Sequence, residues 1–232
     1  MPFTGLKERV AEVRARIADS AARGGQGQQV RLIAVTKTHG PEAVRAAWDA
    51  GVADVGENKV QEALGKQDVL SAEGFAPTGL AWHLIGHLQT NKVKALSRFS
   101  LFHAMDRARL ADEVSAAAVK QLVTLDVLLQ VNIVGEATKG GYAPADVPRE
   151  AVRLLTLPGL RVCGVMTMAP FDADERVLRE VFAGAREARA VLRGAGHPAD
   201  ALSMGMSGDY EIAVEEGATL VRLGSVLFGA RS

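Results

Sequence analysis

The sequence predicts an α/β protein, a single (β/α)8 barrel of the TIM type with an extra N-terminal helix. Eight short runs of apolar and β-branched residues occur along the chain, and amphipathic helical stretches follow the first seven of them. Such alternation is typical of a parallel sheet. Residues 31–232 supply about 25 residues per repeat, which is compact for a barrel of this type. The alternative is an open, doubly wound sheet.

The first predicted element is an amphipathic helix over residues 5–22, with Leu6, Val10, Val13 and Ile17 on one face. The predicted strands are Arg31 to Thr36, Ala53 to Gly56, Trp82 to Ile85, Leu101 to Met105, Leu125 to Ile133, Leu160 to Met168, Ala201 to Met204 and Thr219 to Leu223. Further helices are predicted over residues 41–50, 58–69, 89–97, 107–121, 144–156, 173–193 and 209–216. No linker or low-complexity segment divides the chain, so we expect one domain over residues 1–232.

The composition excludes several classes of protein. Of the 232 residues, 48% are hydrophobic and 23% charged, which excludes disordered, collagen-like and disulfide-scaffold chains. The 27 basic and 27 acidic residues balance, so the broad basic field that binds nucleic acid is absent. The single cysteine, Cys163, fits a reducing compartment. The N-terminus has no targeting pattern, and no apolar run approaches the roughly 20 residues that span a bilayer. We expect a cytoplasmic protein with no nucleic-acid or membrane partner.

The end of the first predicted strand carries a candidate nucleophile. In barrels and open α/β sheets, reactive groups lie where the strands end. Lys37 follows a run of apolar and β-branched residues, so its ammonium would project into or beside a shielded cavity. Desolvation there would lower the lysine pKa and favour a Schiff-base nucleophile. The other interpretation is that Lys37 is the first solvated residue after the strand.

The loops after strands seven and eight form a candidate anion site. Residues 203–208 join strand seven to the next helix, with Ser207 as the expected cap, and Gly224 and Ser225 follow strand eight. Exposed N–H groups at a helix start attract anions, and these two loops are the recurrent phosphate site of the fold. Taken separately, each loop could be an ordinary cap or turn.

Arg222 interrupts the apolar run that forms strand eight. A buried guanidinium must find an acceptor, because leaving it unpaired costs several kcal/mol. It points either at a ligand or at a structural partner, or it snorkels outward. His83 and His87 are four residues apart, but they lie in a strand and no HExxH pattern or cysteine cluster accompanies them. We therefore expect no metal site.

Ordered motifs along nearly the whole chain resemble one known family. They are AVTKT at 34–38, GENKVQE at 56–62, WHLIGHLQTNK at 82–92, VNI at 131–133 with KGG at 139–141, GVMTM at 164–168, SMGMSGDYEIAVEEGAT at 203–219 and VRLGSVLFGAR at 221–231. The chain resembles the YggS/PROSC-like pyridoxal phosphate homeostasis proteins. The resemblance implies a barrel like the N-terminal domain of alanine racemases.

The resemblance also implies a cofactor site. It places pyridoxal 5′-phosphate on Lys37 as a Schiff base and Arg222 at the pyridine nitrogen. The other implied cofactor-binding residues are Ser207, Gly224 and Ser225 at the phosphate and Asn58 beside the cofactor. Ser225 stands where many family members have threonine, a departure that retains the hydroxyl, so we expect phosphate binding to be kept.

The implied function is a non-catalytic carrier or buffer of pyridoxal phosphate, with apo-enzymes that require the cofactor as partners. An arginine at the pyridine nitrogen disfavours its protonation and weakens the electron sink. Alanine racemases add a tyrosine from a second domain, whereas Tyr142 and Tyr210 are the two tyrosines here and we expect them to be structural. We expect a monomer. The alternatives are a racemase-like enzyme with one base and a Schiff-base aldolase acting on a phosphorylated sugar.

Overall fold

The computed structural model describes residues 3–136 and 138–229 and has a closed parallel barrel of eight strands. Each strand pairs with the next, and β8 pairs with β1. The strands are β1 Arg31–Val35, β2 Asp54–Glu57, β3 Ala81–Leu84, β4 Leu101–Met105, β5 Leu125–Gln130, β6 Leu160–Met166, β7 Ala201–Ser203 and β8 Leu220–Leu223. The predicted barrel is confirmed, and the alternative of an open sheet is wrong.

Helices connect the strands on the outside of the barrel. They are α1 Leu6–Gly24, α2 Pro41–Asp49, α3 Val60–Ala72, α4 Ala108–Gln121, α5 Val147–Leu154, α6 Glu175–Ala195, α7 Tyr210–Glu215 and α8 Ser225–Phe228. Thr90–Arg98 and Pro144–Asp146 are 3-10 helices. The described residues include no helix both long and apolar enough to cross a membrane.

Local sequence signals account for the ends of these helices. The N-cap residue of helix α6 is Asp174, whose side chain accepts a 2.9 Å hydrogen bond from the N–H of Val177 and so satisfies one of the free donors of the first turn. Its C-cap residue is Gly196, which has a φ of 109° that favours glycine. The predicted apolar face of α1 is buried, and this helix packs against α7 and α8.

Some predicted boundaries are wrong. Strand β5 ends at Gln130 instead of Ile133, because Val131 leaves the ladder for an isolated bridge with Tyr142. Strand β6 ends at Met166, two residues before the predicted end. The helical stretch predicted over 89–97 is a 3-10 helix, and the short helix α8 was not predicted.

Candidate functional site

Lys37 lies at the carboxyl end of the barrel, two residues after β1, and is half-buried. Its neighbour Thr36 is fully buried and turns outward, where its Oγ1 donates a 2.5 Å hydrogen bond to Glu57 Oε1. Lys37 itself lies in the turn that follows β1. Thr38 follows with a φ of 69°, a left-handed conformation that bends the chain away immediately after the lysine.

A buried ion pair supports the turn that carries Lys37. Lys66 Nζ on α3 donates hydrogen bonds of 2.6 Å to Glu57 Oε1, 2.8 Å to the carbonyl of Thr36 and 3.2 Å to Glu62 Oε1. Glu62 Oε1 also accepts a 2.6 Å hydrogen bond from the N–H of Thr38. The backbone on both sides of Lys37 is therefore fixed to α3.

In the buried Glu57–Lys66 pair, burial has the largest effect on the pKa of the carboxyl group. It raises the pKa of the Glu57 carboxyl, and the contacts with Lys66 and Thr36 only partly offset the effect. Burial also acts to raise the pKa of Glu62, but hydrogen bonds from the Thr38 N–H and Lys66 outweigh it, so the net pKa of Glu62 is lowered. The second oxygen of Glu57, Oε2, is buried and has no hydrogen-bond partner among the residues that the structure describes.

Asn58 follows β2 and is half-buried beside Gly86, which follows β3. A Cβ built on Gly86 would lie 2.3 Å from the carbonyl oxygen of Asn58 and 2.8 Å from its Cα. Only glycine allows this approach of two backbones, so Gly86 fixes the position of Asn58 on the rim. Strand β2 pairs with β1, with Gly56 beside Val35, and this places Asn58 near the turn that carries Lys37.

Loops seven and eight contact each other. Ser207 Oγ accepts a 3.3 Å hydrogen bond from the N–H of Val226 in α8. The expectation that Ser207 caps the next helix is wrong, because α7 begins at Tyr210 and the residue at its N-cap position is Asp209. Asp209 Oδ1 instead accepts a 2.5 Å hydrogen bond from the N–H of Met206 within the loop. Burial raises the pKa of the Asp209 carboxyl.

Two further contacts define the shape of these loops. Gly205 has a φ of 93°, and a Cβ there would lie 2.7 Å from the Cβ of Ala213, so loop seven packs directly on α7. A Cβ on Gly224 would lie 3.5 Å from the carbonyl oxygen of Val35. Loop eight is therefore beside the end of β1. Helices α7 and α8 have only six and four residues, so individual N–H groups and hydroxyls, not long helix dipoles, would hold an anion here.

Arg222 lies on β8 with its side chain in the barrel interior, and the residue is 5% exposed. Its Nη1 donates a 2.6 Å hydrogen bond to Ser203 Oγ, and its Nη2 donates a 3.0 Å hydrogen bond to the carbonyl of Thr167. Within the described part of the chain, no carboxylate forms an ion pair with it. Burial lowers the pKa of Arg222 to about 10, so the guanidinium is still charged at neutral pH.

The structure brings the predicted site residues to one part of the rim. Strands β7, β8, β1 and β2 are consecutive in the barrel, and Ile33 of β1 is the register partner of Arg222. The six predicted residues lie on these strands or just after them: Lys37, Asn58, Ser207, Arg222, Gly224 and Ser225. Their role toward a cofactor stays a prediction.

The two histidines weighed as metal ligands are separated. His83 points into the barrel interior, whereas His87 is at the rim, with its Nδ1 2.8 Å from Asp106 Oδ2. The residues that the structure describes contain no group of three or more His, Cys, Asp and Glu side chains able to hold a metal ion.

Sequence reasoning missed the residues that support Lys37. Glu57 is a charged residue within a buried strand, and Lys66 is four residues after Glu62 on the helix that follows. The four-residue spacing alone suggests an exposed ion pair on a helix surface. The signal that could have found the buried network is Glu57 itself, an acidic residue directly after the predicted strand Ala53 to Gly56.

The barrel of this chain matches a known class of domain. The family model described as "Alanine racemase, N-terminal domain" matches residues 9–232. Two proteins named pyridoxal phosphate homeostasis protein are similar over nearly the whole chain. The one from Aquifex aeolicus is 42% identical over 227 residues, which cover 97% of each chain. The one from Pseudomonas aeruginosa is 43% identical over 228 residues, which cover 97% of this chain and 96% of the relative.

A solved structure supports the same assignment. PipY of Synechococcus elongatus, whose structure has pyridoxal phosphate bound, is 36% identical with a TM-score of 0.84, and the match covers 97% of this chain and 100% of PipY. The chain belongs to the pyridoxal phosphate homeostasis protein family, within the class of barrels related to the N-terminal domain of alanine racemase.

Proposed function

We propose that this chain binds pyridoxal 5′-phosphate through Lys37 and holds the cofactor without catalysing a reaction on it. In this role it buffers the cofactor inside the cell as a monomer, or delivers it to apo-enzymes that require it. One observation carries the proposal. Arg222 is buried in the barrel interior with no ion-paired carboxylate among the described residues, on the strand next to the one that leads to Lys37.

The residues present fit this cofactor. The two hydrogen bonds of Arg222, to Ser203 and Thr167, use only part of its N–H donors, and both acceptors are neutral. A buried guanidinium of this kind is unfavourable unless another acceptor completes its environment. A pyridine nitrogen is such an acceptor, and it can approach from the rim where Lys37 lies.

The cofactor's aldehyde forms a Schiff base with a lysine amine, and its ring can withdraw electrons from the attached carbon. Lys37 supplies the amine, and the buried Lys66–Glu57 pair holds its backbone in place. Ser207 accepts from Val226 and keeps its own hydroxyl hydrogen to donate to a phosphate oxygen. Gly224 and Ser225 present backbone and hydroxyl groups beside it, and Asn58 closes the side toward β2.

Two features argue against catalysis. Arg222 stays charged at neutral pH, and a donor at the ring nitrogen disfavours the protonated ring that makes a strong electron sink. Tyr142 and Tyr210 are 7% and 3% exposed, and burial raises the pKa of both hydroxyls. Neither tyrosine is suited to transfer protons at neutral pH.

Borohydride trapping tests the binding site. The protein is loaded with pyridoxal phosphate, reduced with borohydride, digested and mapped by mass spectrometry. We expect the phosphopyridoxyl group on Lys37, and Lys37→Ala should remove both the adduct and the visible absorption band. Lys59→Ala is the matched control, since Lys59 is a nearby exposed lysine. An adduct mainly on Lys59 or Lys139 would contradict the assignment.

Hydrogen exchange at the α-carbon of amino acids tests the absence of catalysis. The loaded protein is incubated with alanine or serine in deuterated water, and loss of the α-proton is followed by NMR. We expect little exchange, because a positioned base typically contributes about 10²- to 10⁴-fold and the ring is a weak electron sink. Arg222→Glu, intended to favour a protonated ring nitrogen, should exchange faster. Rapid exchange with turnover in the unmodified protein would instead support the racemase-like alternative.

A further inference from the structure

A continuous chain of buried polar side chains crosses the barrel interior and ends at Arg222. Asp54 Oδ1 is 2.8 Å from His83 Nε2, and His83 Nδ1 is 2.9 Å from His103 Nε2. His103 Nδ1 is 2.8 Å from Ser203 Oγ, which accepts a 2.6 Å hydrogen bond from Arg222 Nη1. We call these five residues the interior chain. The two imidazoles and the serine are at most 1% exposed.

The interior chain links the two ends of the barrel. Asp54 is the first residue of β2 and forms an ion pair with Arg31, the first residue of β1, whose side chain is 58% exposed. Strands begin at one end of a parallel barrel and end at the other, where the candidate cofactor site lies. The interior chain therefore runs from solvent at the amino-terminal end of the barrel to the guanidinium of Arg222 at the candidate site.

The two end residues, Arg222 and Asp54, determine which atom donates in each hydrogen bond of the interior chain. A guanidinium only donates, so the Ser203 oxygen accepts from Arg222 and its hydroxyl hydrogen goes to His103 Nδ1. His103 then carries its proton on Nε2 and donates to His83 Nδ1. His83 in turn donates from Nε2 to Asp54, which as a carboxylate only accepts.

This arrangement satisfies every link with both imidazoles neutral. The reverse direction would leave two donors facing the Ser203 oxygen and no acceptor in the chain for its hydrogen. Burial and the nearby charges also lower the pKa of His103 well below its ordinary value, which favours the neutral ring.

We propose that Ser203 and His103 are positioning residues for Arg222. The interior chain, directed toward Asp54, fixes the plane of the guanidinium and so aims its remaining N–H groups at a ring nitrogen bound in the candidate site. This inference rests on the proposed function, because the ring nitrogen belongs to the proposed cofactor. The far end of the barrel is thereby coupled to the cofactor's hydrogen bond.

The second hydrogen-bond acceptor of the guanidinium, the carbonyl of Thr167, is also held in place. The carbonyl of Thr167 accepts from Arg222 Nη2, while the Thr167 N–H donates a 3.1 Å hydrogen bond to the carbonyl of Ser203 and its Oγ1 donates a 2.9 Å bond to Val131. Ser203 and Thr167 lie on or just after neighbouring strands, β7 and β6. Two rigid acceptors in adjacent positions determine the plane of a guanidinium, as paired acceptors do in bidentate contacts.

Nitrogen-15 NMR of the cofactor-free protein, labelled at histidine, tests the direction of the chain. At neutral pH we expect His83 and His103 both to be neutral with the proton on Nε2, and His83→Gln and His103→Gln assign their signals among the five histidines. A proton on Nδ1, or a doubly protonated ring, at either residue would overturn the proposed direction. This result does not depend on cofactor binding.

Three serine variants of the loaded protein test the positioning role. Ser203→Ala removes the link to Arg222, and Ser203→Thr keeps the hydroxyl. The matched control is Ser115→Ala, because Ser115 on α4 is 5% exposed and donates a 2.7 Å hydrogen bond to the carbonyl of Pro158 away from the site. Thermal unfolding, the absorption spectrum of the bound cofactor and its rate of dissociation are measured for each variant.

We expect both alanine variants to unfold at lower temperature, since each loses a buried hydrogen bond. Only Ser203→Ala should shift the absorption band and release the cofactor faster, by about tenfold, the equivalent of one good hydrogen bond. Ser203→Thr should restore both properties. A Ser203→Ala spectrum and release rate equal to those of Ser115→Ala, in a protein that labels at Lys37, would overturn the positioning role alone. A wild-type protein without an adduct at Lys37 would overturn the proposed function and the positioning role together.

Discussion

The amine of Lys66 depends on its neighbours because its side chain is only 6% exposed. Three hydrogen bonds replace its lost hydration, and the shortest of them joins it to the Glu57 carboxylate, whose side chain is fully buried. In such a pair the mutual attraction mainly offsets the cost of removing both charges from water. Removing one member is therefore much more damaging than removing both.

We predict that Lys66→Met lowers the free energy of unfolding by about 3 to 5 kcal/mol, because it leaves the Glu57 carboxylate buried and unpaired. Urea unfolding of the cofactor-free protein measures the change. The double variant Glu57→Gln with Lys66→Met should recover a large part of the loss, since no buried charge is left. Equal destabilisation of the single and double variants would show that packing, and not charge, is what Lys66 contributes.

Single residues were predictable from the sequence where they interrupt a pattern. Lys37 follows an apolar strand and Arg222 interrupts one, and both are near the rim. The contact between His103 and Ser203 was not predicted, because each is an ordinary polar residue within a strand and the two are 100 positions apart in sequence. Their contact exists only when β4 and β7 face each other across the closed barrel.

At the scale of elements, the two glycines Gly86 and Gly65 have opposite environments. Gly86 follows β3, and a Cβ there would lie 2.3 Å from the carbonyl oxygen of Asn58. Gly65 is inside α3, and nothing lies within 4 Å of an added Cβ. The same substitution should therefore have opposite effects at the two positions.

We predict that Gly65→Ala raises the free energy of unfolding by roughly 0.5 to 1 kcal/mol, because alanine favours the helix interior. Gly86→Ala should lower it by at least about 1 kcal/mol, since the end of β3 must move away from Asn58. It should also weaken cofactor binding, which Gly65→Ala should not. Denaturant unfolding and cofactor titration of both variants check this. Stabilisation by Gly86→Ala would mean that the two backbones separate at no cost.

The type of nearly every element followed from hydrophobic periodicity, whereas several ends did not. Strand β4 was predicted with its observed bounds, Leu101 to Met105. Strand β5 was predicted too long because Val131 and Ile133 continue the apolar run, yet the bridge from Val131 to Tyr142 turns the chain into loop five. Helix α8 has four residues, too few for a periodic signal.

At the scale of the whole molecule, barrel closure creates the candidate site. Pairing of β8 with β1 brings Arg222 beside Ile33, so that the last strand and the first carry parts of the candidate site. The count of eight strand-helix repeats predicted this closure. An open doubly wound sheet would have placed the first and last strands apart, and Lys37 and Arg222 could not have shared a ligand.

Closure also makes the interior sensitive to acid, through His103 at its centre. His103 is fully buried, and its pKa is lowered first by that burial and further by nearby positive charges, including those of Arg222 and Arg31. The unfolded chain binds a proton at this imidazole below pH about 6.5, but the folded protein does not until a much lower pH. The contribution of His103 to the free energy of unfolding is therefore fully present above pH about 6.5, and it is lost as the pH falls below that value.

We predict that His103 contributes a loss of about 1.4 kcal/mol in the free energy of unfolding for each pH unit below about 6.5, continuing until the folded protein itself takes up the proton. Urea unfolding of the cofactor-free protein between pH 7.5 and pH 5, where the signal stays reversible, measures the slope. His103→Gln should reduce that slope, because glutamine does not titrate, even though the variant is less stable at neutral pH. Ile33→Val is the control, since it removes about 0.5 to 1.5 kcal/mol from the same interior without removing a titrating group, and its slope should equal that of the wild type. If His103→Gln kept the wild-type slope, the acid sensitivity would come from groups other than His103.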